Sequence, residues 1–344
     1  MGFNRRKMQA DRKAKAAAAA GARFGETDHF QRIRRKTVNL PKTIGDAIGL
    51  INPSMRQEVA MRSVVITGTS SGIGWGATKV LVENGFRVFG SVRKEADAQR
   101  LSAEFGRRYV PLLFDVTDEG AVKEAAAQVR AALAGETLAG LVNNAGVAVA
   151  GPLLQLPIAE FRRQIEINVV GVVIATQAFA PLLGIDRQLK GSPGRIVNIS
   201  SVGGKIGNPF VAPYAASKFA LEGLSESLRR ELLLFGIDVI VIAPGAVATP
   251  IWSKAEEVDT APYRDTPYAP ALERLRSYML AIGRAGFPPE RIGAAVLHAL
   301  TTAQPKVRYT VSPQPLQHWL ARNLPKRVVD RMIGGRLGLL SASR

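Results

Sequence analysis

The chain contains no cysteine, which excludes disulfides, thiolate metal centres and cysteine nucleophiles. Histidine is nearly absent as well. His29, His298 and His318 are too few and too scattered for a histidine metal site, so no metal is expected. Long apolar runs are scarce. The best of them, residues 167–185 (INVVGVVIATQAFAPLLGI), holds Asn168, Gln177 and Pro181 and is expected to be a buried core helix rather than a membrane span. The first 36 residues lack the apolar stretch of a signal peptide. Acid is the last shortage: 28 Asp and Glu against 46 Lys and Arg leave a formal charge of +18. That balance raises nucleic acid or an anionic membrane as a partner.

The position of the charge answers part of that question. Residues 1–60 carry 13 basic and 5 acidic side chains, and residues 321–344 carry 6 and 1, so most of the excess lies at the two ends. A domain that reads nucleic acid concentrates charge on its folded body; none is expected as a partner here. For residues 1–60 several readings stay open. They are a disordered basic extension, sequence upstream of a start at Met55 or Met61, a transit-type targeting helix, or a contact with anionic lipid or nucleic acid. A chain beginning at Met61 is expected to keep full activity.

A hydrophobic fraction of 47% over 344 residues is ample for one large α/β domain with appendages, or for two small ones. From Met61 onward, short apolar or β-branched runs alternate with helical stretches. VVIT (64–67), FRVFGSV (86–92), YVPLLF (109–114), LAGLVNN (138–144), RIVNIS (195–200), IDVIVIA (237–243) and VRYTV (307–311) read as strands. Helices are expected at 72–84, 95–105, 118–134, 158–183, 214–235 and near 289–302. Strands without polar alternation, separated by helices, predict a doubly wound parallel sheet covered on both faces. This single domain is expected to span 61–313, with a helical excursion at 251–287 on the substrate side and a basic amphipathic tail at 314–344.

The first strand runs into TGTSSGIG (67–74) and then a helix. Gly68, Gly72 and Gly74 permit a tight turn and close backbone approach to a pyrophosphate at the helix N-terminus, and Ser70 and Ser71 add hydroxyl donors. The spacing differs from the common GxGxxG fingerprint. At the end of the second strand stand Val92, Arg93 and Lys94, with no acid before Glu95. Arginine there suits the 2′-phosphate of NADP, whereas NAD favours a carboxylate on the ribose. NADP is therefore the expected cofactor.

Tyr214 and Lys218, in YAASK, lie four residues apart on one helix face, and Leu221, Leu224, Leu228, Leu232 and Phe235 are expected to continue that helix as a core stripe. A tyrosinate working near neutrality needs about 4 kcal/mol of help. An ammonium about 4 Å away, at an effective dielectric of about 20, supplies about that much.

TGxxxGIG, NNAG (143–146), Asn168 in INVVG, Ser201 in NISS, YAASK and PGAVAT (244–249) occur in order, and together they resemble the short-chain dehydrogenase/reductase family. The resemblance covers residues 61–250 and implies a Rossmann-type fold. It implies that Tyr214 is the general acid for carbonyl reduction or the base for alcohol oxidation. By the same resemblance Lys218 bonds the nicotinamide ribose, Ser201 hydrogen-bonds the substrate oxygen, and Asn168 helps hold a water for a proton relay. Asp115 and Val116, in FDVT, would meet the adenine end, with Ile73 beside the phosphate loop. Asn143, Ala145 and Gly146 would line the cofactor, and Pro244, Gly245, Val247 and Thr249 would hold the carboxamide side. Family members often pair through the helices corresponding to 158–183 and 214–235, which implies a homodimer or tetramer.

Val147, Val149, Leu153, Phe210, Val211, Trp252, Tyr263, Tyr268 and Met279 would border the nicotinamide in such a fold. That mostly apolar wall fits a bulky lipophilic alcohol or ketone, and the region resembles the retinol and hydroxysteroid dehydrogenase branch. A 3-oxoacyl-type reductase is disfavoured by the long excursion and tail. A non-catalytic dinucleotide-sensing module is disfavoured because Asn168, Ser201, Tyr214 and Lys218 are all present. In the tail, Trp319, Leu320, Leu324, Val328, Val329, Met332 and Ile333 interleave with Arg322, Lys326, Arg327, Arg331 and Arg336. Docking over the substrate mouth is favoured, and peripheral contact with an anionic membrane stays open. The expected location is the cytoplasm, either free or against a membrane.

Overall fold

The computed structural model describes residues 61–249 and 261–341. Residues 1–60 and 250–260, Trp252 among them, lie outside these described residues. Seven strands form one parallel sheet. They are β1 (Ser63–Ile66), β2 (Arg87–Val92), β3 (Tyr109–Leu113), β4 (Gly140–Asn143), β5 (Arg195–Ile199), β6 (Asp238–Pro244) and β7 (Arg308–Val311). Their spatial order is β3-β2-β1-β4-β5-β6-β7. The order reverses between β1 and β4, which opens a crevice at the carboxyl ends of the strands where a ligand can enter.

The lack of polar alternation in the strands has a direct cause. In β1, Val64 and Ile66 pack into one core layer and Val65 into the other, all fully buried. Ile196 and Val197 divide between the layers in the same way. A strand with apolar side chains on both faces is stable only between two layers of helices.

The helices are α1 (Gly72–Glu83), α2 (Glu95–Phe105), α3 (Glu119–Ala132), α4 (Ile158–Ile165), α5 (Gly171–Phe179), α6 (Ala212–Glu231), α7 (Ala269–Arg284), α8 (Pro289–Thr301), α9 (Pro315–Asn323) and α10 (Lys326–Leu337). α1 and α8 meet through glycines. A Cβ on Gly76 would strike the backbone of Pro289, and one on Gly293 would strike Gly76. α4 and α5 are continuous through a wide turn at Glu166–Val170. Ile158–Leu183 is apolar and long enough to cross a bilayer, yet Ala175, Phe179, Leu182 and Leu183 are buried in the sheet-facing core. It is the core helix that its interrupted sequence predicts.

α6 departs from its expected stripe. Leu221 and Leu232 are buried, but the same face also buries Glu222 and Ser225. Phe235, expected in the core, is exposed, because the helix tightens into a short 3-10 turn at Leu232–Phe235 that rotates it outward. A third apolar cluster, separate from the two layers flanking the sheet, joins Phe210, Tyr263, Leu272, Leu275 and Leu337.

Candidate active site

β1 delivers the chain into the loop 67–71 at the strand-order reversal. Gly68 and Gly72 take left-handed backbone angles, φ +72° and +59°, which side-chain-bearing residues rarely adopt. A Cβ on Gly74 would collide with the Gly68 carbonyl and come within 2.6 Å of Asn144 Nδ2. The loop is clipped from both sides. Gly68 N–H donates to Ser91 Oγ at 2.8 Å. Asn144 Nδ2 donates to the carbonyls of Thr67 and Gly68 at 2.9 Å each. Thr67 Oγ1 in turn accepts from the backbone of Asn144 and Ala145 at 3.0 Å. Ser71 stands at the N-cap of α1 with its hydroxyl making no cap bond. Thr249 faces this turn, 3.3 Å from where a Gly72 Cβ would be, so Gly72 and Thr249 face each other across the crevice. Ile73 packs into the core beneath it.

At the end of β2 Val92 is buried, while Arg93 and Lys94 are exposed. Arg93 Nη1 lies 3.6 Å from Asp115 Oδ2. Burial works against the Asp115 carboxylate, but hydrogen bonds from Thr117 and the nearby Arg93 charge outweigh it and hold its pKa below the ordinary value. Val116 is buried against Gly171. Arg100, on α2, donates to the Ser70 carbonyl at 2.7 Å. This second cation at the phosphate loop was not foreseen, since a lone arginine seven residues beyond Arg93 carries no sequence signal.

The reacting side meets at β5 and α6. Ser201 follows β5, and its Oγ accepts from Gly203 N–H at 3.0 Å. Tyr214 lies in the first turn of α6, and Lys218 Nζ lies 5.8 Å from the Tyr214 ring centroid. Lys218 donates to the Ile199 carbonyl at 2.9 Å. Burial lowers the Lys218 pKa to about 8, opposed by the Glu222 charge. Burial raises Tyr214 above its ordinary value, opposed only in part by a hydrogen bond with Ser201. Tyr214 is thus pushed in the direction opposite to the one expected from the Tyr-Lys spacing. Desolvation, which a charge-pair argument leaves out, dominates here.

The asparagines divide their work. Asn168, buried in the wide turn, donates from Nδ2 to the Val147 carbonyl at 3.0 Å and to Ser217 Oγ at 3.1 Å. It accepts from Val147 N–H at 2.9 Å. Its side chain thus ties the loop after β4 to the turn that carries Tyr214, because Ser217 itself donates to the Tyr214 carbonyl at 2.8 Å. Asn143 is buried beneath the site and bonds Asn198 at 2.9 Å and Thr176 at 3.1 Å. It braces the central strands, and its neighbour Asn144 is the one that holds the loop. Ala145 lies against Gly68, and Gly146 against Asn168. Pro244 ends β6, Gly245 N–H donates to the Val311 carbonyl at 2.8 Å, and Val247 is buried beside Phe287.

Residues 62–259 match the pattern of the short chain dehydrogenases. The chain belongs to the short-chain dehydrogenase/reductase family. It is 38% identical to the NADPH-dependent 3-dehydrocapnine reductase of Ornithobacterium rhinotracheale, over 79% of this chain and 96% of that protein. It is 33% identical to retinol dehydrogenase 5 of Mus musculus, over 78% and 87% of the two chains. A solved short-chain dehydrogenase from Streptomyces avermitilis superposes with a TM-score of 0.64 at 26% identity, covering 81% of this chain and 97% of that one. This short-chain dehydrogenase/reductase is accordingly an NAD(P)-dependent enzyme that interconverts alcohols and carbonyls.

In this oxidoreductase, Phe210, Tyr263, Tyr268 and Met279 join one apolar cluster with α7. Phe210 and Tyr268 meet edge to face at 5.7 Å. Phe210 sits at φ +63°, a costly angle for an aromatic residue, maintained by burial of its ring in that cluster. Val149 is buried, its N–H donating to Gln164 at 2.7 Å, whereas Leu153 is exposed. One further residue was hidden in the sequence. Glu222, one helical turn beyond Lys218, accepts from Ser200 Oγ at 2.9 Å and from Arg308 Nε at 3.0 and 3.1 Å, with Lys205 Nζ 3.7 Å away.

Proposed function

We propose that this enzyme is an NADP(H)-dependent reductase of a lipophilic ketone or aldehyde, steroid- or retinoid-like in size, with Tyr214 as proton donor. The observation that carries the reading is the Tyr214 phenol, hydrogen-bonded with Ser201 and one helical turn from the buried Lys218, beside a segment whose Phe210 belongs to an apolar cluster. A phenol carries its proton at neutral pH, the form needed to donate to a developing alkoxide.

The phosphate loop fits a dinucleotide. Its glycines leave no room for side chains, the N-terminus of α1 offers amides to a pyrophosphate, and Arg93 and Arg100 stand at the adenosine end. When bound, the nicotinamide supplies the hydride. Ser201 Oγ donates to the carbonyl oxygen as negative charge grows on it, and Tyr214 Oη delivers the proton that completes the alcohol. Lys218, fixed by the Ile199 carbonyl, holds positive charge behind the phenol and bonds the ribose. Asn168 keeps the Tyr214 turn in register with the loop after β4, and we place the proton-relay water beside it. Val247 and Thr249 complete the nicotinamide side.

NADPH is a currency of the cell interior, so we place the enzyme in the cytoplasm. Exposed Phe219 and Val170, on the outer faces of α6 and the wide turn, support pairing of two copies through these helices. The test is turnover of a lipid ketone and aldehyde panel with NADPH or NADH, beside Tyr214→Phe. NADPH-dependent reduction that Tyr214→Phe abolishes is the expected result. Equal rates for the variant and the parent would overturn the mechanism.

A further inference from the structure

α10 has two apolar stripes, and the protein uses one of them. Ile333 and Leu337 join the roof cluster with Leu272 and Leu275 of α7, and Val329 is buried as well. Val328 and Met332, one turn apart on another face, point to solvent, with Met332 61% exposed. α9 goes further, because none of its residues is buried. Leu316 is 68% exposed and Trp319 60%, and with Leu320 they form a stripe at helical spacing. An amphipathic helix that half-buries only His318 and Ala321 within its own fold and leaves its Leu316-Trp319-Leu320 stripe in water gains stability from another apolar phase.

The charge around these stripes identifies that phase. Arg322, Lys326, Arg327 and Arg331 flank them, and Asp330 is the one acid between 315 and 337. A second copy of this surface would bring like charges together. A nucleic acid would match the cations but leave the tryptophan stripe in water. An anionic bilayer satisfies both features, with interfacial tryptophan and basic side chains at the headgroups.

The surface lies at the substrate side. α9 and α10 follow the carboxyl end of β7, on the same sheet edge from which Ser201 follows β5. The loop after β4 adds a second apolar projection there, with Leu154 85% exposed. That loop and α10 are fixed to one roof. Gly151 N–H donates to the Phe210 carbonyl at 2.7 Å, and Phe210 shares its cluster with Leu337.

We propose that the outer face of α9 and α10 docks this enzyme on an anionic membrane, so that its lipophilic substrate enters from the bilayer rather than from water. The proposal deepens the substrate reading above and rests on it only for the route of entry. Docking itself can be measured without turnover.

The test is co-sedimentation of the full chain with phosphatidylcholine vesicles, with and without phosphatidylglycerol. Two variants accompany it, Trp319→Glu with Met332→Glu, and Arg327→Glu with Arg331→Glu. Binding to the anionic vesicles alone is expected, weakened about a hundredfold or more by the arginine reversals and weakened also by raised salt. Both variants should keep the parent melting temperature and the parent rate on a short, water-soluble ketone, while losing turnover of a ketone dissolved in vesicles. Absence of binding to anionic vesicles would overturn the proposal. So would variants that bind as tightly as the parent, which would move the contact to another basic segment such as 1–60. A drop in oligomer size in the variants, without vesicle binding in the parent, would identify the face as a contact between copies. If docking holds while Tyr214→Phe retains full activity, the membrane surface stands and the catalytic reading falls.

Discussion

Glu222, buried, and Arg308, partly exposed, form an ion pair that joins the catalytic helix to the last strand of the sheet, with Arg308 Nε 3.0 and 3.1 Å from the two carboxylate oxygens. The same carboxylate takes the hydroxyl of Ser200, the residue before Ser201, at 2.9 Å. One side chain therefore fixes the position of the Ser201 strand end, anchors β7, and places negative charge one turn from Lys218. The pair is costly to break from the carboxylate side, because Ser200 and Arg308 lose their shared acceptor while Arg308 keeps only part of its access to water.

Replacing Glu222 with Gln should act through position and charge rather than through contact with substrate. Without the carboxylate, the influence that raises Lys218 is gone, and its pKa falls below about 8. The limb of the kcat/KM profile that reports Lys218 moves to lower pH, and the protein loses about 1–3 kcal/mol of stability. Glu222→Asp should recover part of the pH shift. Profiles that coincide for parent and Gln variant would assign Glu222 a purely structural role.

Tyr214→Phe should lower kcat by about 10³-fold with little change in cofactor affinity, as expected for loss of a general acid. Ser201→Ala should lower kcat by about 10²-fold by removing one donor to the developing oxyanion. Steady-state kinetics with cofactor binding measured separately distinguishes these losses from a failure to bind.

Arg93→Ala should raise the KM for NADPH by about tenfold, the worth of one charge-assisted contact, and leave that for NADH nearly unchanged. Arg100→Ala should show the same selectivity to a smaller degree, since its bond to the Ser70 carbonyl also shapes the loop. An equal loss for both cofactors would assign these cations to the pyrophosphate or to the fold.

Stability should peak on the alkaline side. Lys218 has a pKa of about 8 in the fold against 10.5 ordinarily, so between those values the unfolded chain binds more protons and stability rises with pH. Tyr109, raised by burial to about 12 from 10.0, reverses the sign above pH 10, because there the folded chain holds the extra proton. Tyr214, also raised, acts in the same direction. On the acid side, the lowered Asp115 contributes stability that is lost as pH falls below its ordinary 3.8. Denaturant unfolding from pH 7 to 11 should rise and then fall, and Lys218→Met should flatten the rise.

Much of this enzyme was legible in the order of its residues. Alternating apolar strands and amphipathic helices announce a parallel sheet because burial on two faces leaves a local imprint on each strand. The glycines at 68, 72 and 74 and the YAASK spacing are equally local, since a turn or a helix face is set by a few neighbouring residues. Other features depend on residues far apart in the chain. Glu222 and Arg308 are 86 positions apart, and the roof draws Phe210, Tyr263, Leu275 and Leu337 from four separate segments. The upward push on the Tyr214 pKa arises in the same way, from a desolvation that only assembled neighbours can create. In sequence the phenol and the ammonium are a favourable charge pair. In the fold, removal from water pushes the phenol the other way, with only the Ser201 hydrogen bond opposing it.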